Sequence, residues 1–403
     1  MRTEWIVAAV MDSCTGTMHA ARGRALGEAT VAAVRGDDLT LSALALGLSR
    51  ATALRHRVKC VDRLLGNVHL HGECAAVYAA LSAHWLADLR QVLLVVDWSP
   101  LTADQQWQLP RASVAVEGRS VTVYEEVHPR RRLGAYRVHE RFVKRLAQRL
   151  PSSAQAPIVV TDAGFRSTWF KLLARQGWAW VGRMRNRDLV CRGQGSWQPA
   201  KRLYGQATPT PQDLGAYAAV RSNPTDCRLV LVKQPLRGRR RRYPRGRVQR
   251  HSQARKIARA QREPWLLTCS PALSMLSAAA IVNLYGQRMR IEQAFRDTKN
   301  AALGAGLARS GSRGAARLQV LLLIGHLAQF VLRLIGEAAQ AQQMQLQLMS
   351  TNRKTRAEVS VVTVGRRVVR SPRLCRALPN PWPYRHRLRE QARAACDFPA
   401  ATA

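Results

Sequence analysis

Acidic residues are what this chain of 403 residues has least of. Asp and Glu number 25 against 64 Lys and Arg, a formal net charge of +39. Such a surface attracts polyanions, of which nucleic acid is the commonest. Lysine is scarce as well, with 8 residues against 56 arginines. One reading of that ratio is codon usage in a GC-rich genome, which leaves the missing acids unexplained. Closely spaced cysteines are absent: Cys14, Cys60, Cys74, Cys191, Cys227, Cys269, Cys375 and Cys396 contain no C-x-x-C pair. They read as reduced thiols and not as a disulfide framework. His69 and His71 lie near Cys74, a weak metal-ligand spacing. Met1–Met18 carries Arg2, Glu4 and Asp12 inside its apolar stretch and makes a poor secretory signal. The longest apolar run, Leu318–Ile335, is interrupted by Gln319, His326, Gln329 and Arg333 and reads as a buried helix, not a membrane span.

What is present is a foldable chain. It is 47% hydrophobic and 22% charged, long enough for two or three domains with proper cores. Residues 1–88 are helix-like, rich in Ala and Leu. Leu41–Leu48 and Thr52–Leu65 are two apolar-periodic stretches, the second bearing Arg55, His56, Arg57, Lys59 and Arg63. They fit a helix-turn-helix with a basic second helix, and equally an ordinary antiparallel helix pair. From residue 91 strands take over: Val92–Val96 ends at Asp97, and Ala112–Val116 and Ser120–Tyr124 flank a Glu117-Gly118-Arg119 hairpin turn. Ala135–Leu150 reads as a helix, Ile158–Thr161 as a strand ending at Asp162, Arg166–Gln176 as a helix and Trp178–Gly182 as a strand. This order is α/β, helices packed on a mixed sheet.

Residues 183–270 break the pattern, with recurrent Gly and Pro and short strands at Arg228–Lys233 and Trp265–Cys269. Between them, residues 237–262 hold eleven Arg and one Lys with no acid. They read as a mobile basic loop in a β-rich insertion, or as a polybasic segment without fixed fold; both predict phosphate affinity. Helical character returns at Ala278–Asn300 and Arg317–Gly336 and continues through 337–365, with a short strand or loop around Val359–Val364. The last thirty or so residues, with Pro372, Pro379, Pro381 and Pro383 and many Arg, read as a loose basic tail. No internal repeat is visible.

Because acids are scarce, their placement is informative. Asp97 and Asp162 each end an apolar strand, where a carboxylate can project from a sheet into a cleft. Two such carboxylates side by side repel and call for a cation, and hard oxygen ligands suit Mg²⁺ or Mn²⁺. Taken singly, each is also an ordinary strand-terminal turn aspartate. Further along, Tyr285, Arg288, Glu292 and Lys299 stand at offsets 0, 3, 7 and 14. On one helix at about 100° per residue they fall within roughly a 60° arc. As a solvated face that stripe is unremarkable; as a site it offers one metal ligand flanked by phosphate-binding cations.

Tyr285-x2-Arg288-x3-Glu292-x6-Lys299 resembles the Y-R-E-K signature of bacterial cut-and-paste insertion-sequence transposases, the "IS four" family. Asp97 in Val-Val-Asp-Trp-Ser and Asp162 in Val-Thr-Asp-Ala-Gly-Phe look like that family's two aspartate motifs, and Phe295-Arg296-Asp297 matches its helix. The hairpin from Arg111 to Tyr124 is similar to the subgroup related to transposon "Tn ten", as is Arg63-Leu-Leu-Gly-Asn67 with His69 and His71. The similarity runs from about residue 60 to 335. One departure is Ser310, followed by Gly311 where the family usually has Arg, with Arg309 and Arg313 nearby.

The resemblance implies an RNase-H-like catalytic domain in residues 89–183 and 276–336. A β-rich basic insertion, 184–275, interrupts it. Residues 1–88 become a helical DNA-end-binding region, and 337–403 a C-terminal helical region with a basic tail. It implies Asp97, Asp162 and Glu292 as metal ligands, Asp97 bridging two Mg²⁺ (or Mn²⁺) ions that activate the nucleophile and stabilise the leaving oxygen. Tyr285, Arg288 and Lys299 then position phosphates. Trp265 stacks on a flipped base beside a DNA hairpin, unless it is a strand-core tryptophan. The expected partners are double-stranded DNA, both terminal inverted repeats and target, and a second copy of the chain in the DNA complex. The expected location is the bacterial cytoplasm, at the nucleoid. A nuclease without strand transfer and a catalytically silent transposase-derived DNA-binding protein are the alternatives.

Overall fold

The computed structural model describes residues 3–36, 38–87, 89–151, 156–235, 251–252, 263–300, 304–349 and 359–397. Apart from His251 and Ser252, the basic segment 237–262 lies outside the described residues. The chain divides into two compact units, Met1–Gln155 with Met289–Ala395, and Ala156–Arg288 with Cys396–Ala403.

In chain order the first unit begins with helices α1 (Thr3–Cys14), α2 (Ala20–Arg35), α3 (Leu41–Gly47), α4 (Leu54–Leu65) and α5 (Val68–Leu86). Strands β1 (Leu93–Pro100), β2 (Trp107–Val116), β3 (Arg119–Glu125) and β4 (His128–Pro129) follow, then α6 (Tyr136–Ala147). The second unit holds β5 (Ile158–Thr161), α7 (Ser167–Arg175), β6 (Ala179–Arg183), β7 (Leu189–Cys191), β8 (Gln198–Pro199), β9 (Gln212–Ala219), β10 (Thr225–Val232), β11 (Trp265–Cys269) and α8 (Ala278–Gly286). The chain then returns to the first unit with α9 (Met289–Lys299), α10 (Ala315–Ala341), α11 (Val361–Arg370), α12 (Pro372–Ala377) and α13 (Arg385–Ala394). The mixed α/β class expected from the sequence is the class that forms.

The N-terminal helices start where capping chemistry allows. Thr40 Oγ1 accepts from the Ala43 N–H at 3.1 Å, and Asn67 Oδ1 from the Leu70 N–H at 3.0 Å. Helix α4 buries Val61, Leu64 and Leu65 and leaves Arg55, His56, Lys59 and Arg63 exposed. In the first unit β1, β2 and β3 are antiparallel, with Asp97 opposite Arg111 and Arg111 opposite Glu125. In the second unit the order is β5-β6-β11-β10-β9-β7-β8. β5 and β6 are parallel, as a strand–helix–strand crossover requires. The strands read at Arg228–Lys233 and Trp265–Cys269 form as β10 and β11; β7, β8 and β9 are additional to that reading.

Helix α10 is the one described helix long and apolar enough to cross a membrane, and 89% of its apolar window is buried inside the protein. Helix α11 lies across it at two glycines. A Cβ on Gly365 would collide with the Leu332 carbonyl oxygen, and one on Gly336 with that of Val361. Two readings of the C-terminal region are corrected here. Val359–Val364 is not a strand: Ser360 caps α11, accepting from the Thr363 N–H at 3.2 Å. The final segment is not a loose tail up to Ala394. It folds as α12 and α13, which bury Leu374, Leu388 and Ala392. Among the described residues no disulfide forms, and Cys14, Cys74, Cys191, Cys227, Cys269 and Cys375 are buried.

Candidate active site

In the first unit the site begins at Asp97 within β1; the strand does not end there, as the apolar run suggested, but stays paired with β2 as far as Pro100. Leu93, Leu94, Val95 and Val96 are at most 1% exposed, and Asp97 is the first half-buried residue after them. The Trp98 backbone N–H donates to Asp97 Oδ1 at 2.8 Å. The Trp98 indole N–H donates to His139 Nε2 on α6 at 3.0 Å. Burial, assisted by nearby His128, pulls the His139 pKa down to about 4. The ring is therefore neutral near pH 7, and its Nε2 is an acceptor.

Glu292 stands in the first turn of α9, where the helix dipole favours a carboxylate. The helix is fixed to the strands by a buried polar network. Arg111 Nε pairs with Glu125 Oε2 at 2.6 Å, with both side chains at most 3% exposed. The other two Arg111 nitrogens donate to Thr298 Oγ1 at 3.2 Å, and the guanidinium lies 4.8 Å from the Phe295 ring centroid. Tyr78 donates to Glu125 Oε1 at 2.5 Å. Arg119 Nε meets Asp297 Oδ2 at 2.7 Å, although burial still raises the Asp297 pKa. At the far end of α9, Lys299 Nζ donates to Ser99 Oγ at 2.7 Å and to the Pro100 carbonyl at 3.2 Å. Burial lowers its pKa, as does Arg111, while Asp97 acts the other way. Glu292 and Lys299, seven residues apart on α9, share a helix face. The unit thus brings the β1 strand of Asp97 and the helix of Glu292 and Lys299 together, tied at Ser99, two residues beyond Asp97.

Asp162, Trp265, Tyr285 and Arg288 belong to the second unit. Asp162 follows β5, is half-buried, and accepts the Gly164 N–H on Oδ1 at 2.7 Å. Arg185 Nε holds this turn by donating to the Ala163 carbonyl at 2.5 Å. Tyr285 is buried, and desolvation raises its pKa, opposed by Arg288 and Arg183 and reinforced by Asp162. Its phenol therefore stays a neutral donor. Trp265 packs edge-on against it, centroids 4.9 Å apart at 78°.

The expected single helix across 278–300 does not form. Gln287 and Arg288 are turn residues between α8 and α9, so the 100° extrapolation carries Glu292 and Lys299 but not Tyr285. The signature's four residues fall in two helices and the turn between them.

The donor chemistry fits a hard divalent ion. Asp97, Asp162 and Glu292 are all half-buried carboxylates, and the two aspartates are each oriented by a backbone N–H. Among the described residues no three His, Cys, Asp or Glu side chains are grouped as a metal site. The His69–His71–Cys74 spacing accordingly makes none. His71 Nε2 bonds the Leu65 carbonyl at 2.8 Å, and burial pushes the Cys74 thiol up to about 12.

Sequence reasoning passed over His139, Arg111 and Glu125. His139 had a visible signal, a lone histidine on the apolar face of a helix; adjacent Glu125 and Glu126 were conspicuous in so acid-poor a chain.

No curated protein matches the chain. Among solved structures it is similar to the cryo-EM structure of piggyBac transposase synaptic complex with hairpin DNA, at 10% identity and a TM-score of 0.40, over 100% of this chain and 83% of that one. A TM-score of 0.40 is too low for that likeness to bear on fold or site. The model of the family described as Transposase DDE domain matches residues 89–329, a span that includes Asp97, Asp162 and Glu292 and more than half of the chain. The chain belongs to the Transposase DDE domain family.

Proposed function

We propose that the protein is a cut-and-paste DNA transposase of the "IS four" family, near the "Tn ten" subgroup, which excises its element through hairpin intermediates and joins it to target DNA. The observation that carries this reading is the fixing of α9 to β1: Lys299 on Ser99, with Arg111 bonded to Thr298, holds Glu292's helix against Asp97's strand. In this reading 89–183 and 276–336 are an RNase-H-like core, 184–275 its β-rich insertion, 1–88 the grip on the element end and 337–403 a helical C-terminal region.

Asp97, Asp162 and Glu292 would hold Mg²⁺ or Mn²⁺, which when bound supplies activation of the attacking oxygen and stabilisation of the leaving one. Tyr285, Arg288 and Lys299 bind phosphates of the element end, Arg by paired hydrogen bonds and Lys as a point charge. Trp265, edge-on to Tyr285, offers a ring face for a displaced base. Water hydrolyses the first strand and frees a 3′-OH. That hydroxyl attacks the opposite strand, expelling its flank and closing a hairpin. Water opens the hairpin, and the 3′-OH then displaces a 3′-oxygen in the target. Each joining exchanges one phosphodiester for another, so no energy cofactor is needed. Two ends must be held together, so the working form is a homodimer on DNA, in the cytoplasm at the nucleoid.

The test is incubation of purified protein with Mg²⁺ and a labelled duplex carrying the inverted repeat that flanks the gene. Excision with hairpin intermediates is expected. Nicking of any duplex would make the protein a nuclease, and metal-independent binding without cleavage a silent DNA-binding protein.

A further inference from the structure

A second basic surface lies beyond the end of β1, formed by residues to which the catalytic reading gives no role. β4 pairs with the start of β2, Gln108 opposite His128, and Gln108 is also opposite Pro100 of β1. The turn after β4, Arg130–Arg132, is fixed by its main chain. Arg130 N–H donates to the Gln106 carbonyl at 2.8 Å, Leu133 N–H to Arg130 at 3.0 Å and Ala135 N–H to Arg132 at 3.1 Å. The side chains are left to solvent: Arg130, Arg131, Arg132, Arg137 and Arg141 are all exposed. Helix α6 starts here without a side-chain cap, so its positive end adds to the patch.

The acids on adjoining elements are committed elsewhere. Glu126 meets His128 at 2.7 Å and Arg145 at 3.0 Å, Glu140 meets Lys144 at 3.7 Å, and Asp104 takes the Thr102 hydroxyl and the Gln106 N–H. Among the described residues no carboxylate pairs with any of the five arginines. The patch is five arginines on a hydrogen-bonded turn and helix start, with Gln105 and Gln106 exposed beside it, and paired guanidinium bonds together with a helix N-terminus suit it to backbone phosphates. From Asp97 to Pro100 is roughly 10 Å along the strand, and β4 lies two strand spacings, about 10 Å, to the side. The patch therefore begins on the order of 15 Å from Asp97, about four or five base-pair steps at 3.4 Å.

An element end has a fixed sequence. The DNA beyond the cut does not, and the enzyme must accept it whatever it is. Resting on the transposase reading above, we propose that Arg130, Arg131, Arg132, Arg137 and Arg141 are a sequence-independent grip on the duplex beyond the scissile phosphate. That duplex is flanking DNA before excision and target DNA after it.

The test replaces the exposed turn as R130Q/R131Q/R132Q, with R130K/R131K/R132K as the charge-retaining control and melting temperature as the check on folding. Binding is measured in EDTA, so that it does not depend on cleavage, to a random duplex and to element ends with a two-base-pair or about twelve-base-pair flank. For the random duplex the Gln variant should lose roughly tenfold in affinity near 0.1 M salt, and its log K against log salt should flatten by about 2 to 3. The Lys variant should keep both. The short-flank end should be bound as by wild type and the long-flank end more weakly. Loss with the long flank marks flanking DNA, and loss of strand transfer into a plasmid marks target DNA; either supports the grip. Wild-type affinity and slope throughout, or equal loss with both flanks, overturns it. Failure of the transposase reading would show separately, as no end cleavage by wild type.

Discussion

Trp98 links His139 to Asp97: its indole N–H reaches His139 Nε2 at 3.0 Å while its backbone N–H reaches Asp97 Oδ1 at 2.8 Å. His139 is thus a positioning residue for the carboxylate. Removing the acceptor as His139→Phe should slow single-turnover end cleavage by roughly 10–100-fold, the usual scale for partners behind metal ligands. His139→Gln, which keeps an acceptor, should recover most of it. Phe and Gln variants of equal rate would refute the positioning role.

The buried histidines also set a pH dependence. His139 is held down to about 4 and His326, stacked on Tyr78 with centroids 4.8 Å apart, to about 3, mainly by burial. Both ordinarily titrate near 6.5. As pH falls through 6.5, the unfolded chain takes up protons that the folded one refuses, so stability drops with falling pH. Glu126 works in a lower window: burial opposes its charge, but bonds from His128, Tyr124 and Arg145 hold it at about 2. Its contribution is present above its usual 4.5 and is lost only as pH falls from there toward 2. Melting temperature should therefore decline between pH 7 and pH 5, and less steeply in His139→Gln. An unchanged slope in that variant would remove His139 from the account.

Asp97→Asn preserves shape and one acceptor oxygen but removes the charge. Cleavage of a labelled end should disappear while gel-shift binding to the same end stays within a few-fold of wild type. Persistent cutting by the variant would falsify the assignment of Asp97.

Arg111 and Glu125 are a fully buried ion pair. Arg111→Met should cost about 3–5 kcal/mol in urea unfolding, because it strands a buried carboxylate. Adding Glu125→Gln should recover a large part of that loss. A single variant as stable as wild type would mean that the pair does not hold α9 in place.

At the crossing of α10 and α11, Gly365→Ala puts a methyl group against the Leu332 carbonyl. The expected loss is about 1–3 kcal/mol by urea or thermal unfolding, the range for overpacking a close contact. Unchanged stability would show that the helices can separate there without cost.

Much of the fold was legible because it is written in local pattern. The apolar run before Asp97 became β1, the Glu117-Gly118-Arg119 turn joined β2 to β3, and the periodicity of 135–150 became α6. Val359–Val364 misled because β-branched residues favour strands only where a pleated surface receives them. Here Ser360 caps a helix, and α10 offers Gly336 for it to pack on. The loose tail was misread for a similar reason: Leu374, Leu388 and Ala392 find cover that no local rule shows. At the candidate site, the motifs around the three acids were legible in the sequence. The bonds around them were not, since Trp98 and His139 are 41 residues apart and Arg111 and Thr298 are 187 apart.

The polar centre of α10 has a consequence for synthesis. Arg333, 3% exposed, bonds Glu337 at 3.3 Å and Gln391 at 2.8 Å, and Arg387 reaches the Glu337 carbonyl at 3.3 Å. Those partners leave the ribosome some fifty residues after the helix they complete. Until they arrive, α10 stands with a greasy flank and a half-satisfied ion pair in water, a condition that invites aggregation. Nascent chains halted after residue 349 should gather on chaperones or in the pellet, and chains that include the last helix should do so less.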